Sequence, residues 1–389
     1  EGSSLKKEKV IDLDSTVLKK SKEAHAINLK KGDIGNTNNQ SESEIKLETP
    51  KISPEKSKEI KNNREIQLQK AKVNIKKRKV FDENDEVIYE KLKDNDGRIS
   101  SLLVKLKSKK DRAKFGQVLV EGWRLIVDGL EAKCTLTHII FSRLEDLNRI
   151  KPYLPKTGVL VYKIPYKEID LWSDVETSPG ILGVFQSPTP DNIRRFGKSL
   201  PLNIICDNIR VPGNLGAILR AAVGVGCKNI YLMKGCVDLW DSKVVRAAAG
   251  AHFRLPIHHA VDWENLPNLI HSDTSVFIAD NNAKTQEKDD ANEESRIANI
   301  PVLPYYSVDF GSLRSITLII GGETEGISDD SYIFAADRNG LRLNIPLQKG
   351  VDSLNSGMAA AVIAFEIKKQ LVQAKAQLSL TEDAQVISQ

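Results

Sequence analysis

The chain has 389 residues, with 57 Lys and Arg against 52 Asp and Glu and a formal charge of +5. That length allows two or three domains, and no apolar run approaches the roughly 20 residues a membrane-spanning helix needs. Four cysteines without a CxxC spacing and six histidines that form no cluster give neither a metal-ligand pattern nor a disulfide framework, so a reducing compartment and a site without metal are expected.

Residues 1–80 read as a basic, disordered leader. They carry 20 Lys and Arg against 12 Asp and Glu and no aromatic side chain, Phe81 being the first. Such a segment cannot bury enough apolar area to offset its ordering entropy. Its densest cluster is Lys76, Lys77, Arg78 and Lys79, which reads equally as a solvated tail or as an arm for RNA phosphates. The chain begins at Glu1, in keeping with a trimmed form, and shows no evident targeting peptide.

Structure is expected from 81–92 onward. Residues 98–115 read as one basic helix with Leu102, Leu103 and Leu106 as its apolar stripe. A strand and turn at 118–122, a helix at 123–130, a strand at 137–141 and a helix at 143–150 follow. Strand, helix and strand come next at 159–163, 166–173 and 180–185. This alternation predicts a small α/β domain over 81–187, joined by a Pro-bearing linker at 188–200. Lys105, Lys107, Lys109, Lys110, Arg112, Lys114 and Arg124 give it a basic face on which only Asp111 and Glu121 are acidic. That face reads as a wet helix surface or as an RNA contact.

A second α/β unit is expected over 201–377. Its strands are placed at 202–206, 229–233, 253–257, 275–279, 315–320 and 341–345, and its helices at 215–225, 242–249, 328–336 and 356–376. A polar insertion lies at 281–299 and a flexible tail at 378–389. Continuous apolar strands alternating with helices predict a mostly parallel sheet covered on both faces. In such sheets ligands bind beyond the carboxyl ends of the strands. Three segments rich in glycine and asparagine start there, VPGNLGAILRAA from Val211, IIGGETEGIS from Ile319 and IPLQKGVDSLNSGMAA from Ile345. They describe one composite site.

Asn214-x-Gly216 with Arg220, the Gly321-x-Glu323 loop and Ser353-Leu354-Asn355 together resemble the three motifs of the SpoU branch of the SPOUT methyltransferases. The resemblance spans about residues 201–369, and residues 98–185, notably the VLVEG at 118–122, resemble that family's substrate-recognition domain. It implies a trefoil-knotted, mostly parallel sheet, a homodimer, and transfer of a methyl group from S-adenosylmethionine to a ribose 2′-hydroxyl of RNA. Within the family, CDNIRVPGNLGAILR and MKGCVDLW are most similar to animal mitochondrial rRNA ribose methyltransferases. A guanosine of large-subunit rRNA as target, the assembling subunit as partner and a mitochondrial matrix location are implied by that likeness alone.

By resemblance Gly321, Ile345 and Leu354 hold the cofactor, with glycine allowing close backbone approach and the aliphatic pair covering an adenine face. Arg220 is expected at the reacting hydroxyl. Its guanidinium has no acceptor, so its physical role is to hold a substrate phosphate and stabilise developing alkoxide charge. Asn214, Glu323, Ser353 and Asn355 are expected to hold the loops and the target nucleotide, with Glu323 orienting Arg220 or a loop amide. Each also reads as a turn or cap residue, Ser353 and Asn355 above all. Many relatives have Asp-Pro where this chain has Val211-Pro212, but Asp207 still stands at the preceding strand end. Two other readings stay open, an RNA-binding assembly factor on the same fold and a dinucleotide-dependent oxidoreductase. The second lacks a GxGxxG fingerprint with its following acid.

Overall fold

The computed structural model describes residue 65 and residues 78–81, 87–193, 197–280 and 300–387. The expectations for the leader up to residue 77, apart from residue 65, and for the insertion at 281–299 lie outside them.

The first sheet contains β1 (Lys79–Phe81), β2 (Val87–Lys91), β3 (Gln117–Glu121), β4 (Leu136–Phe141), β5 (Leu160–Lys163) and β6 (Ile181–Gln186), ordered β1-β2-β5-β4-β6-β3. Strands β2, β5 and β4 run parallel, while β1 pairs antiparallel with β2 and β6 antiparallel with both β4 and β3. Five helices connect them: α1 (Gly97–Lys107), α2 (Lys109–Phe115), α3 (Trp123–Glu131), α4 (Leu144–Ile150) and α5 (Tyr166–Trp172).

The basic segment 98–115 is therefore two helices. Ser108 is extended, and its hydroxyl accepts from the Asp111 N–H at 3.3 Å, capping α2. Serine at this position supplies an acceptor for an otherwise unpaired first-turn amide. The end of α1 is closed by Arg112, whose guanidinium donates to the carbonyls of Leu106 at 2.7 Å and Lys107 at 2.9 Å.

The second sheet contains β7 (Leu202–Asp207), β8 (Asn229–Met233), β9 (Ile257–Val261), β10 (Ser275–Ala279), β11 (Val302–Pro304), β12 (Ile316–Gly321) and β13 (Leu341–Asn344). Their order is β11-β13-β10-β12-β7-β8-β9 and every pair is parallel. Alternate residues of β12 face opposite sides: Leu318 and Ile320 enter the core under α6 (Pro212–Val225) and α9 (Ser356–Ile387), and Ile319 the core under α8 (Asp329–Ala336). Covering on both faces is the reason the central strands β7, β10 and β12 are apolar at most positions.

Helix α6 starts earlier than expected, at Pro212, where a missing N–H costs nothing because first-turn amides have no helical acceptor. It stops at Gly226, in the left-handed region at φ 84°, whose N–H returns to Ala222 and Val223. No strand spans 253–257. Gly250 at φ 83° leads into a short 3-10 turn at Ala251–Phe253, and pairing begins only after Pro256, which has no N–H to give a ladder. At the other end α9 is helical to Ile387, through most of the segment expected as a flexible tail. That stretch has neither Gly nor Pro and is rich in strong helix formers.

The two sheets meet along a shared apolar seam. Val245 from α7 (Ser242–Ala248), together with Phe253, packs in one cluster with Val127, Leu130 and Phe185.

Candidate active site

The parallel order sets β12 beside β7, with Gly321 in register with Asp207. The loops that leave these two strand ends are tied together at once. The Asp207 carboxylate, 1% exposed, accepts from the Ser328 N–H at 2.7 Å and the Ser331 hydroxyl at 2.8 Å, and its carbonyl accepts from the Gly322 N–H at 3.0 Å. A side chain at Gly322 would begin 2.2 Å from the Asn208 carbonyl oxygen, so only glycine fits. An ion pair between Arg210 and Glu325 at 2.7 Å joins the same loops at the surface.

The third segment, 345–355, returns from β13 to this place through Asn355. Its side-chain N–H₂ donates to Asn214 Oδ1 at 2.8 Å and to Glu323 Oε1 at 2.7 Å. Its Oδ1 accepts from the Gly357 and Met358 N–H groups at 3.0 and 3.3 Å, capping α9. One carboxamide thus joins residues 141 and 32 positions away in sequence. Asn214 is buried in the first turn of α6, so the glycine-rich stretch expected as a turn is helix. Gly216 serves packing rather than turning. A Cβ on it would lie 2.4 Å from that of Ala247, so its bareness lets α7 close against α6.

Behind this junction lies a cleft of about 340 Å³ whose walls include Gly321, Ile345, Leu347 and Leu354, with Glu323, Asp352 and Ser353 as polar members. The three residues expected at the cofactor, Gly321, Ile345 and Leu354, are therefore neighbours. Gly321 is bare for the sake of packing, since a Cβ there would meet Ile327 Cδ1 at 2.7 Å and the Gly326 carbonyl at 2.8 Å, and its strand-end backbone borders the cleft. The floor includes Asp280, which is held by Arg342 Nε at 2.9 Å and the Tyr332 hydroxyl at 2.7 Å. Burial and that carboxylate push the Tyr332 hydroxyl well above the usual phenol range.

Of the five residues expected in the catalytic set, Asn214, Glu323 and Asn355 are hydrogen-bonded together and Ser353 is an exposed residue of the cleft wall. Arg220 is not hydrogen-bonded to them among the described residues. It is exposed on α6, and no hydrogen bond or ion pair engages it among the described residues. Among the described residues no hydrogen bond joins Glu323 to Arg220; Glu323 Oε1 accepts from Asn355 instead.

The basic face divides in the same way. Lys105, Lys109, Lys110, Lys114 and Arg124 are exposed. Lys107 pairs with Asp174 at 2.7 Å. Arg112 is turned inward: besides capping α1 it pairs with Asp238 of the second unit, because a planar fork of donors can serve two carbonyls and a carboxylate together.

Sequence reading missed Gly322 and Asp280 and gave little weight to the anchoring by Asp207. The Gly321-Gly322 doublet was a visible sign of close backbone approach; nothing local marked Asp280, whose partners are 52 and 62 residues away. Cys206 and Cys227 are buried and in no disulfide. Burial holds the Cys206 thiol well above its ordinary value and pushes Cys134 and Cys236 up to about 11, so none of these three supplies a thiolate near neutrality.

The fold is shared with solved SpoU methyltransferases. The profile of the SpoU rRNA methylase family matches residues 201–365 and that of the MRM3-like substrate binding domain residues 101–183. The chain is 40% identical over 309 residues to the mitochondrial rRNA methyltransferase 3 of Homo sapiens, covering 71% of this chain and 73% of that protein. It is 26% identical over 264 residues to the 23S rRNA (guanosine(2553)-2′-O)-methyltransferase RlmP of Bacillus subtilis, covering 68% and 93%. The AdoMet-bound rRNA methyltransferase of Sinorhizobium meliloti shares the fold, with a TM-score of 0.59, 21% identity and coverage of 73% and 98%. The chain belongs to the SpoU rRNA methylase family.

Proposed function

We propose that this protein transfers the methyl group of S-adenosylmethionine to the 2′-hydroxyl of a guanosine in mitochondrial large-subunit rRNA. The observation that carries the reading is the Asn355 bridge to Asn214 and Glu323, which makes one site of three separate loops beside a cleft with both aliphatic and acidic walls. The names of the human and Bacillus relatives support rRNA, mitochondria and guanosine as the address and target.

The cleft suits that cofactor. Gly321 brings strand-end backbone to the cleft, Ile345, Leu347 and Leu354 offer apolar walls for a flat base, and the carboxylates of Glu323 and Asp352 favour a cation. When bound, the sulfonium supplies an activated methyl group with its own leaving group. The protein must then orient the ribose hydroxyl and shed water, which is work for positioning and fixed dipoles. Asn214, buried and held by Asn355, fixes the start of α6 against the cleft, and Ser353 borders the path of the target nucleotide. Arg220, uncommitted and exposed, holds a substrate phosphate and stabilises charge developing on the hydroxyl oxygen. It does not accept the proton, which leaves the hydroxyl for a substrate phosphate or water as the O–CH3 bond forms and the S–CH3 bond breaks.

Residues 81–187 act as the substrate-recognition domain and 201–377 as the catalytic domain, knotted and working as a homodimer in the matrix. Lys105, Lys109, Lys110, Lys114 and Arg124 contact RNA phosphates, and such contacts set affinity and its salt dependence rather than sequence choice. The deciding experiment is single-turnover methyl transfer to a large-subunit rRNA fragment with labelled cofactor. Arg220→Ala is expected to bind S-adenosylmethionine within about twofold of the unsubstituted chain by calorimetry and to lose at least about tenfold in transfer, equal to about 1.4 kcal/mol of barrier. Unchanged transfer removes Arg220 from the mechanism, and no transfer by the unsubstituted chain favours the assembly-factor reading.

A further inference from the structure

A second cavity, also of about 340 Å³, opens in the seam between the two sheets. Its apolar walls are Trp123, Leu125, Trp172, Val175 and Pro179 from the first unit and Val245 from α7 of the second. Cavities of this size with aromatic walls and a few charged groups at the rim are the usual form of a small-ligand site. The rim is built rather than loose. The Glu121 carboxylate accepts from the Ser173 hydroxyl, from Ser178 Oγ at 3.5 Å and from the Asp174 N–H at 3.4 Å, fixing the 173–178 loop. Arg246 of α7 donates to the Asp174 carbonyl at 3.1 Å, which closes the wall between the two units.

Charge and position indicate what enters. Arg124 and Arg246 are exposed at the mouth, and Lys107 of α1 meets Asp174 on the rim, so the cavity continues the lysine-bearing surface. Helix α7 forms one wall and also packs on α6 at Gly216, whose missing side chain admits Ala247 and Ala248. Packed helix axes stand about 8–10 Å apart, so only one helix layer separates the cavity from the helix bearing Asn214 and Arg220. Tryptophan faces beside guanidinium groups are what unpaired bases of single-stranded RNA stack upon, with the cations meeting the adjoining phosphates.

We propose that this interdomain cavity holds one unpaired nucleobase of the RNA substrate, a few nucleotides from the methylated ribose, with Arg124 and Arg246 on the flanking phosphates. The inference rests on the rRNA reading above and adds to it a binding site for a base other than the target. It makes the seam a ruler: the recognised base and the reacting ribose are held at a fixed spacing by α7.

The test uses the full chain with 5-fluorotryptophan at its four tryptophan positions and two probes, single-stranded oligoadenylate and a sugar-phosphate oligomer of equal length without bases. Trp123→Phe and Trp172→Phe assign the fluorine signals. Oligoadenylate is expected to shift the Trp123 and Trp172 signals and leave Trp263 unmoved, while the abasic oligomer, which meets Arg124 beside the Trp123 ring, leaves Trp172 unmoved. Trp172→Ala is expected to weaken oligoadenylate binding about tenfold, the usual worth of one stacked base, and its abasic binding to stay unchanged. Oligoadenylate that binds without moving either signal overturns the proposal, as does equal affinity for the two probes. If Trp172→Ala does not fold, Trp172→Leu and the two-probe comparison decide. Shifted signals with no methyl transfer to any rRNA fragment leave the cavity standing and defeat the methyltransferase reading; transfer without shifts defeats the cavity alone.

Discussion

Asn355 serves two structures with one side chain, its oxygen capping α9 and its nitrogen bridging to Asn214 and Glu323. Aspartate in its place keeps the capping acceptor, deletes both donors and sets a carboxylate against Glu323. Asn355→Asp is expected to lower single-turnover methyl transfer at least about tenfold, or about 1.4 kcal/mol. Asn355→Ala loses the cap as well, and is expected to cost about a further 1 kcal/mol of folding stability. Rates compared with urea denaturation of both variants separate the two roles; an unimpaired Asn355→Asp enzyme would show that the bridge is only structural. At this scale residue types were legible but partners were not. Glu323 was a visible acid in a glycine loop, yet whether it met Arg220 or Asn355 depended on how two distant strands were ordered. Arg112 counted as one more surface cation until its guanidinium was found closing α1 and holding Asp238.

Among the elements, the close approach of α6 and α7 carries the most consequence, because it joins the site to the seam. Gly216 sits within a regular helix, where glycine is otherwise unfavourable by about 1 kcal/mol relative to alanine, so its presence answers to packing. Gly216→Val is expected to destabilise the protein by about 1–3 kcal/mol through overpacking against Ala247, read as a lower urea midpoint with an unchanged slope. A midpoint equal to that of the native chain would mean α7 is free to move away. Element types were largely readable, since apolar runs buried on both faces and helices ended by Gly226 or begun by Ser328 leave local marks. Boundaries failed where a single residue broke the pattern. Ser108 split one basic helix into two, and Pro256 delayed a strand to Ile257.

The whole molecule is held across its seam by Phe253 against Phe185, with ring centroids 5.4 Å apart, and by ion pairs of Arg112 with Asp238 and Arg254 with Asp128. His252 is buried in this region. One ring nitrogen donates to the Leu239 carbonyl at 2.7 Å, while Nδ1 is buried without a partner among the described residues. Burial lowers its pKa to about 4 from an ordinary 6.5. The unfolded chain then binds the proton first, so this contribution to stability is complete above about pH 6.5 and is lost progressively towards pH 4, on the order of 3 kcal/mol in all. His252→Gln is expected to flatten that part of a stability–pH profile measured by urea denaturation between pH 4 and 7. An identical slope in the variant would assign the acid sensitivity to other groups.

Composition, turn chemistry and hydrophobic period by themselves determined that two α/β units follow a basic leader and that three loops stand at strand ends. Those properties are local, written in neighbouring residues through caps, φ-permissive glycines and burial patterns. The order of the strands was decided only by tertiary structure. It set Asp207 beside Gly321, carried Asn355 back to Asn214 and gathered the cleft, because parallel pairing joins residues more than a hundred positions apart with no local mark of which will meet. The seam, the inward turn of Arg112 and the tryptophan-walled cavity arise likewise from two units packing together. Each half of that surface is an ordinary half-buried face until the other half covers it.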